Sequence, residues 1–94
     1  MLFFLEKPLA DYQLVPQTQL GVFAQTKLFN ASVEYCAEIC SREDNYLCRS
    51  FDFLTDKREC MLYKENLKDN IYIDLVVTQN ANSNHYSSKY FVIK

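Results

Sequence analysis

The sequence predicts a single α+β domain, one helix among several antiparallel strands. Three observations carry that prediction. Apolar residues recur at every second position from Leu47 through the following hairpin, but at helical spacing between Val33 and Cys40. The 94 residues suffice for one core and leave no room for a second. Four cysteines, Cys36, Cys40, Cys48 and Cys60, fall in the predicted helix and in the hairpin after it.

Residues 1–7, MLFFLEK, hold a greasy stretch broken at Glu6, too short for a signal-peptide core of about 7–15 apolar residues. They are expected to be disordered, a remnant of a trimmed leader or of added linker residues, with residues 8–94 forming the domain. Tyr12 to Val15 reads as a short strand stopped by Pro16, which has no ladder donor. Leu20 to Phe23 and Thr26 to Phe29 read as two further extended pieces. At Ser32 the pattern changes. Ser32 is a suitable N-cap and Glu34 meets the helix dipole in the first turn. Val33, Cys36, Ala37 and Cys40 then form one apolar stripe, so a helix is expected over 33–42, ending in the polar run Ser41 to Asn45.

From Leu47 the period becomes two. Phe51 and Phe53 share one strand face, expected to be core rather than a stacking platform for sugar or base. Cys48, Ser50 and Asp52 share the other. Thr55 to Arg58 is a charged turn, and Glu59 to Lys64 the return strand. Ile71 to Val77 is rich in β-branched residues and reads as a strand. Thr78 to Ser88, TQNANSNHYSS, reads as a polar loop with His85 solvated in it and no nucleophile or carboxylate arranged around it. Tyr90 to Ile93 closes as a last strand.

A net charge of −2 argues against nucleic acid as a partner, since tracking phosphates requires an excess of Lys and Arg. No apolar run approaches the roughly 20 residues of a membrane-spanning helix. Adjacent Glu43 and Asp44 lack the spaced oxygen ligands of a calcium loop. A domain of this size buries only about 60–65% of its unfolded surface, so covalent reinforcement is expected.

The cysteines are suited to supply it. Cys36 and Cys40 lie one turn apart on the same helix face. A bond between them would close a short loop against helix geometry, which leaves 36–60 with 40–48 or 36–48 with 40–60. The nested pair, Cys36–Cys60 and Cys40–Cys48, suits a helix antiparallel to the first hairpin strand and is preferred. By loop-closure entropy the longer bridge contributes roughly 3–3.5 kcal/mol and the shorter somewhat less. A zinc site with two close cysteine pairs fits the spacing poorly, and no C-x2-C redox motif is present. Paired cysteines imply an oxidising compartment. The single N-x-[ST] triplet, Asn30-Ala31-Ser32, agrees and makes Asn30 the candidate glycosylation site.

The unit C-A-E-I-C, seven residues, C-R-S-F-D-F, then C-M-L at Cys60 resembles the PAN/apple domain family. Its C-x3-C-x7-C-x11-C spacing, Glu65-Asn66 after the last cysteine and the entry Pro8-Leu9-x-Asp11-Tyr12 look most like the N-terminal PAN modules of plasminogen and the hepatocyte growth factor family. The resemblance spans roughly residues 8 to 93. It implies a curled antiparallel sheet of about five strands cradling one helix, with the same nested bridges. The third bridge of apple domains proper has no cysteines here, which points to the two-bridge subtype.

The resemblance also implies a non-catalytic binding module, with protein or carbohydrate partners and no cofactor or metal. In plasminogen such a module docks on kringle domains through basic residues, but the matching positions here read Asp56, Asp74 and Val76. The candidate partner-binding residues are Lys57 and Arg58 at the hairpin tip, with Arg49, Lys64 and Lys68. Interleaved Glu43, Asp56, Glu59, Glu65 and Asp69 make glycosaminoglycan binding weak at best. The expectation is a monomeric, secreted or ectodomain recognition or autoinhibitory module of a larger protein. The alternative is an intracellular four-cysteine metal or thiol-redox protein.

Overall fold

The computed structural model describes residues 8–65 and 77–89. Pro8–Asp11 forms a short 3-10 turn that leads into β1 (Tyr12–Val15), β2 (Thr18–Leu20) and β3 (Thr26–Leu28). One helix, α1 (Val33–Arg42), follows, and then β4 (Ser50–Leu54), β5 (Glu59–Tyr63), β6 (Val77–Gln79) and β7 (Ser83–Ser88). The main sheet is antiparallel with order β1-β7-β4-β5-β3, and β2 and β6 pair as a separate two-stranded ribbon.

The helix forms where its local chemistry predicts. Ser32 is extended (φ −94°, ψ 162°) and its side chain accepts from the Tyr35 N–H, while Glu43 returns to extended backbone and donates to Cys40 O. Cys36, Ala37 and Cys40 turn inward as one stripe. They pack on the face of the sheet that carries Tyr12, Phe51, Leu62 and Cys60, with Leu28, Phe53 and Tyr86 half-buried around them. Phe51 is the centre of this layer. It stacks on Tyr86 (4.9 Å between centroids, 11° between planes) and meets the edge of Tyr12 at 5.2 Å. Phe51 also faces Leu62 across β4 and β5.

Two sequence expectations are corrected. The predicted strand Leu20 to Phe23 lies earlier, at Thr18–Leu20. Leu20 is fully buried, whereas Phe23 is 85% exposed in the connection to β3. The larger correction concerns the polar stretch read as a loop. Ser83–Ser88 is an interior strand, bonded to β1 on one side and β4 on the other. Its residues alternate with period two: Ser83, His85 and Ser87 are buried on the face away from the helix. Of the other expected strands, Val77 opens β6, and the rest of 71–77 and all of 90–93 lie outside the described residues, as do residues 1–7.

Candidate functional site

Both predicted bridges form. Cys36 and Cys60 are joined across a Cα separation of 6.2 Å, and Cys40 and Cys48 across 5.2 Å, within the range that a disulfide spans. Cys60 sits on β5 opposite Phe53 and Leu28, so the first bridge fastens the helix to an interior strand of the sheet, between β4 and β3. Cys48 lies two residues before β4, so the second fastens the last helical turn to that strand's entry. No free cysteine remains among the described residues. With every sulfur bonded to sulfur, the four cysteines supply no thiolate to a metal or to redox exchange. Among the described residues no cluster of three His, Cys, Asp or Glu is placed to hold a metal ion.

The opposite face of the sheet holds a polar cluster that sequence reasoning missed. Asp52, at the middle of β4, faces His85 of β7, and both are fully buried. Asp52 Oδ1 lies 2.7 Å from His85 Nδ1; because a carboxylate only accepts, Nδ1 carries the proton and donates. Asp52 Oδ2 accepts from the Tyr63 hydroxyl at 2.6 Å and from the Leu20 N–H at 3.0 Å. Three strands of the main sheet and the β2–β6 ribbon thus meet on one carboxylate. Ser83 adds a second tie, its hydroxyl donating to Thr18 O at 3.1 Å. An Asp in mid-strand is disfavoured unless partnered, so Asp52 in Ser-Phe-Asp-Phe-Leu was the available sequence signal.

An aspartate on imidazole Nδ1 also orients the histidine of a hydrolase triad, and Ser87 stands two residues along β7. Here His85 is 0% and Ser87 5% exposed. The hydrogen bonds of Asp52 instead tie β4, β5 and β7 to β2 in the interior.

Burial pushes the Tyr63 hydroxyl well above its ordinary range, and the adjacent Asp52 charge and hydrogen bond push it further the same way. The sign of the consequence follows. An unfolded tyrosine ionises near pH 10 while folded Tyr63 holds its proton, so its contribution to stability is complete below about pH 10 and declines above it. Urea unfolding at pH 9.5 and 10.5 is expected to show a loss of about 0.7 kcal/mol from this residue, half the limiting slope of ~1.4 kcal/mol per pH unit that is reached only well above pH 10. Tyr63→Phe, though less stable at neutral pH, should show a shallower alkaline decline; an unchanged slope would assign the decline to other groups.

The candidate partner-binding residues do not gather in one place. Lys57 and Arg58 are exposed at the β4–β5 turn. Arg58 is left-handed (φ 56°), donates its N–H to Leu54 O and accepts from the Ala31 N–H, which fixes the turn against the start of the helix. Lys64 is exposed past the far end of β5, about 20 Å along the strand at ~3.3 Å per residue. Arg49 is half-buried at the entry to β4, its N–H bonded to Tyr63 O. Lys68 lies outside the described residues. Asn30 is exposed at the corner between β3 and α1. No helix among the described residues is long and apolar enough to cross a membrane.

Compared with known protein families, residues 10–91 match the model described as PAN domain. The match covers the helix, both bridges and every described strand.

Proposed function

The chain belongs to the PAN domain family, whose members are disulfide-bonded modules that bind proteins or carbohydrates, and from that membership we propose an extracellular recognition module within a larger secreted or cell-surface protein. It acts by docking and carries no catalytic machinery of its own. The observation that carries this reading is the coincidence of the family match with four cysteines consumed in two buried bridges. Such bridges persist in oxidising surroundings and are rare in the reducing cytosol. The module is monomeric, Asn30 bears an N-linked glycan, and residues 8–94 are the folded unit.

Lys57 and Arg58 are the favoured contact. They project from a turn whose main chain is pinned at Leu54 and Ala31, so two cations are presented on a rigid support and little ordering entropy is lost on docking. The partner is a small acidic patch on a protein that meets Lys57 and Arg58 alone, since an extended polyanion would also run against the flanking Asp56 and Glu59. The module is therefore expected to leave immobilised heparin below physiological salt. Screened against an array of extracellular protein domains, it should bind a partner whose affinity falls about tenfold or more in Lys57→Glu/Arg58→Glu and is unchanged in Lys64→Glu. Equal loss in both variants, or binding to heparin that survives physiological salt, would overturn this assignment.

A further inference from the structure

The fold immobilises the one acceptor triplet for N-linked glycan transfer. Asn30 has a left-handed backbone (φ 53°). Ala31 is 3% exposed, and its N–H donates to Arg58 O at 2.9 Å. The Ser32 hydroxyl is occupied as the helix cap, accepting from Tyr35 N–H at 3.1 Å. Ser32 O accepts from Cys36 N–H at 3.0 Å, closing the first helical turn. Asn30 itself remains exposed, but the main chain that follows it is built into the domain.

Transfer requires more than an exposed amide. The Asn nitrogen is a weak nucleophile because its lone pair is delocalised into the carbonyl. An enzyme that activates it must grip the amide, the hydroxyl two residues on and the main chain between them. In the folded module that main chain is buried and that hydroxyl is in use. Both restraints converge on one disulfide. Cys36 is the residue that closes the turn on Ser32, and Arg58, which holds Ala31, stands two positions before Cys60.

We propose that Asn30 accepts a glycan only while Cys36 and Cys60 are still thiols, so that occupancy is decided by a race between glycan transfer and closure of this bridge. The inference rests on the extracellular reading above. In the transfer, Asn30 Nδ2 attacks the anomeric carbon of an oligosaccharide carried on a lipid diphosphate. The C–N bond forms, the C–O bond to phosphate breaks, the lipid diphosphate leaves with the electron pair, and the amide gives up one proton. In the competing step Cys36 and Cys60 lose two electrons and two protons to a disulfide oxidant, which becomes a dithiol. The order is one-way. A glycan on exposed Asn30 leaves the later bridge free to form, whereas the bridge closes the triplet to transfer.

The test offers the full chain to purified oligosaccharyltransferase with its lipid-linked oligosaccharide donor, and follows glycan attachment at Asn30 by mass. The acceptors are the oxidised protein, the reduced protein, Cys36→Ser/Cys60→Ser, Cys40→Ser/Cys48→Ser and a peptide of residues 26–36. The reduced chain and Cys36→Ser/Cys60→Ser are expected to be glycosylated at least tenfold faster than the oxidised protein. Cys40→Ser/Cys48→Ser, which keeps the other bridge, should stay as refractory as the oxidised protein. Equal rates for oxidised and reduced chains would overturn the inference, as would rapid transfer to Cys40→Ser/Cys48→Ser. Refusal of the peptide as well would instead defeat the reading of Asn30 as an acceptor. A peptide that is accepted beside a reduced chain that is refused would defeat the race alone.

Discussion

Asp52→Ala is expected to cost about 3–5 kcal/mol of folding stability, at the high end of what single substitutions cause. The value is large because three donors lose their acceptor together: the Tyr63 hydroxyl, His85 Nδ1–H and the Leu20 N–H. Each buried donor left unpaired costs about 1–3 kcal/mol. A domain of this size has a total stability of roughly 5–15 kcal/mol, so the variant should be largely unfolded at moderate urea. Asp52→Asn keeps the shape and one acceptor oxygen, and a smaller loss is expected. Urea unfolding followed by circular dichroism measures both. Hydrogen exchange supplies the local readout, because the Leu20 amide should lose more protection than Cys36 in Asp52→Asn. A loss below about 1 kcal/mol for Asp52→Ala would mean that the carboxylate is not the joint between sheet and ribbon.

The second large effect concerns the bridges, which are not equivalent. Cys36→Ala/Cys60→Ala opens a loop with a sequence separation of 24, for which chain entropy gives about 3.5 kcal/mol. Cys40→Ala/Cys48→Ala opens one of separation 8, for which the same estimate is about 2.5 kcal/mol. The first change also removes two fully buried sulfurs from beneath the helix, adding a packing loss. The order of urea midpoints is therefore expected to be wild type, then Cys40→Ala/Cys48→Ala, then Cys36→Ala/Cys60→Ala. The reverse order of the two variants would show that chain entropy is not what separates them.

Much of the helix layer was legible because its signals are local. Ser32 caps, Val33 to Cys40 repeat at helical spacing, and the helix spans 33–42 as expected. Phe51, Cys60 and Leu62 alternate within a hairpin whose charged turn is equally plain, and the nested cysteine pairing was the preferred one of the two that the helix leaves open. The other face was not legible. Ser83, His85 and Ser87 do alternate, but serine, asparagine and histidine carry no hydrophobic contrast to reveal a strand. What makes them interior is their location between β1 and β4, settled by pairings some 30 to 75 residues distant in sequence. The same reason hid the partners of Asp52: they come from β2, β5 and β7, and nothing near it in the chain announces them. As for the candidate residues, the sulfurs form the two bridges, and Lys57 and Arg58 are exposed at the hairpin turn. How far apart Lys57, Arg58 and Lys64 stand depended on the strand between them.

The placement of β1 beside β7 has a mechanical meaning. Tyr12 pairs with Ser88 and Val15 with His85, and the Lys89 N–H reaches Asp11 O at 2.8 Å, so the start of β1 and the end of β7 lie side by side at one end of the sheet. Tension applied at these two points loads the β1–β7 hydrogen bonds one after another, as in opening a zipper, instead of shearing them all at once. That geometry yields at low force. Once β1 has peeled away and β7 has followed, pulling meets the cystines: the residues from Cys36 to Cys60 are covalently closed and cannot be drawn out. Stretched within a longer chain, the module should lengthen readily at its margins and then stop abruptly. Reduction of the bridges would release the remaining length.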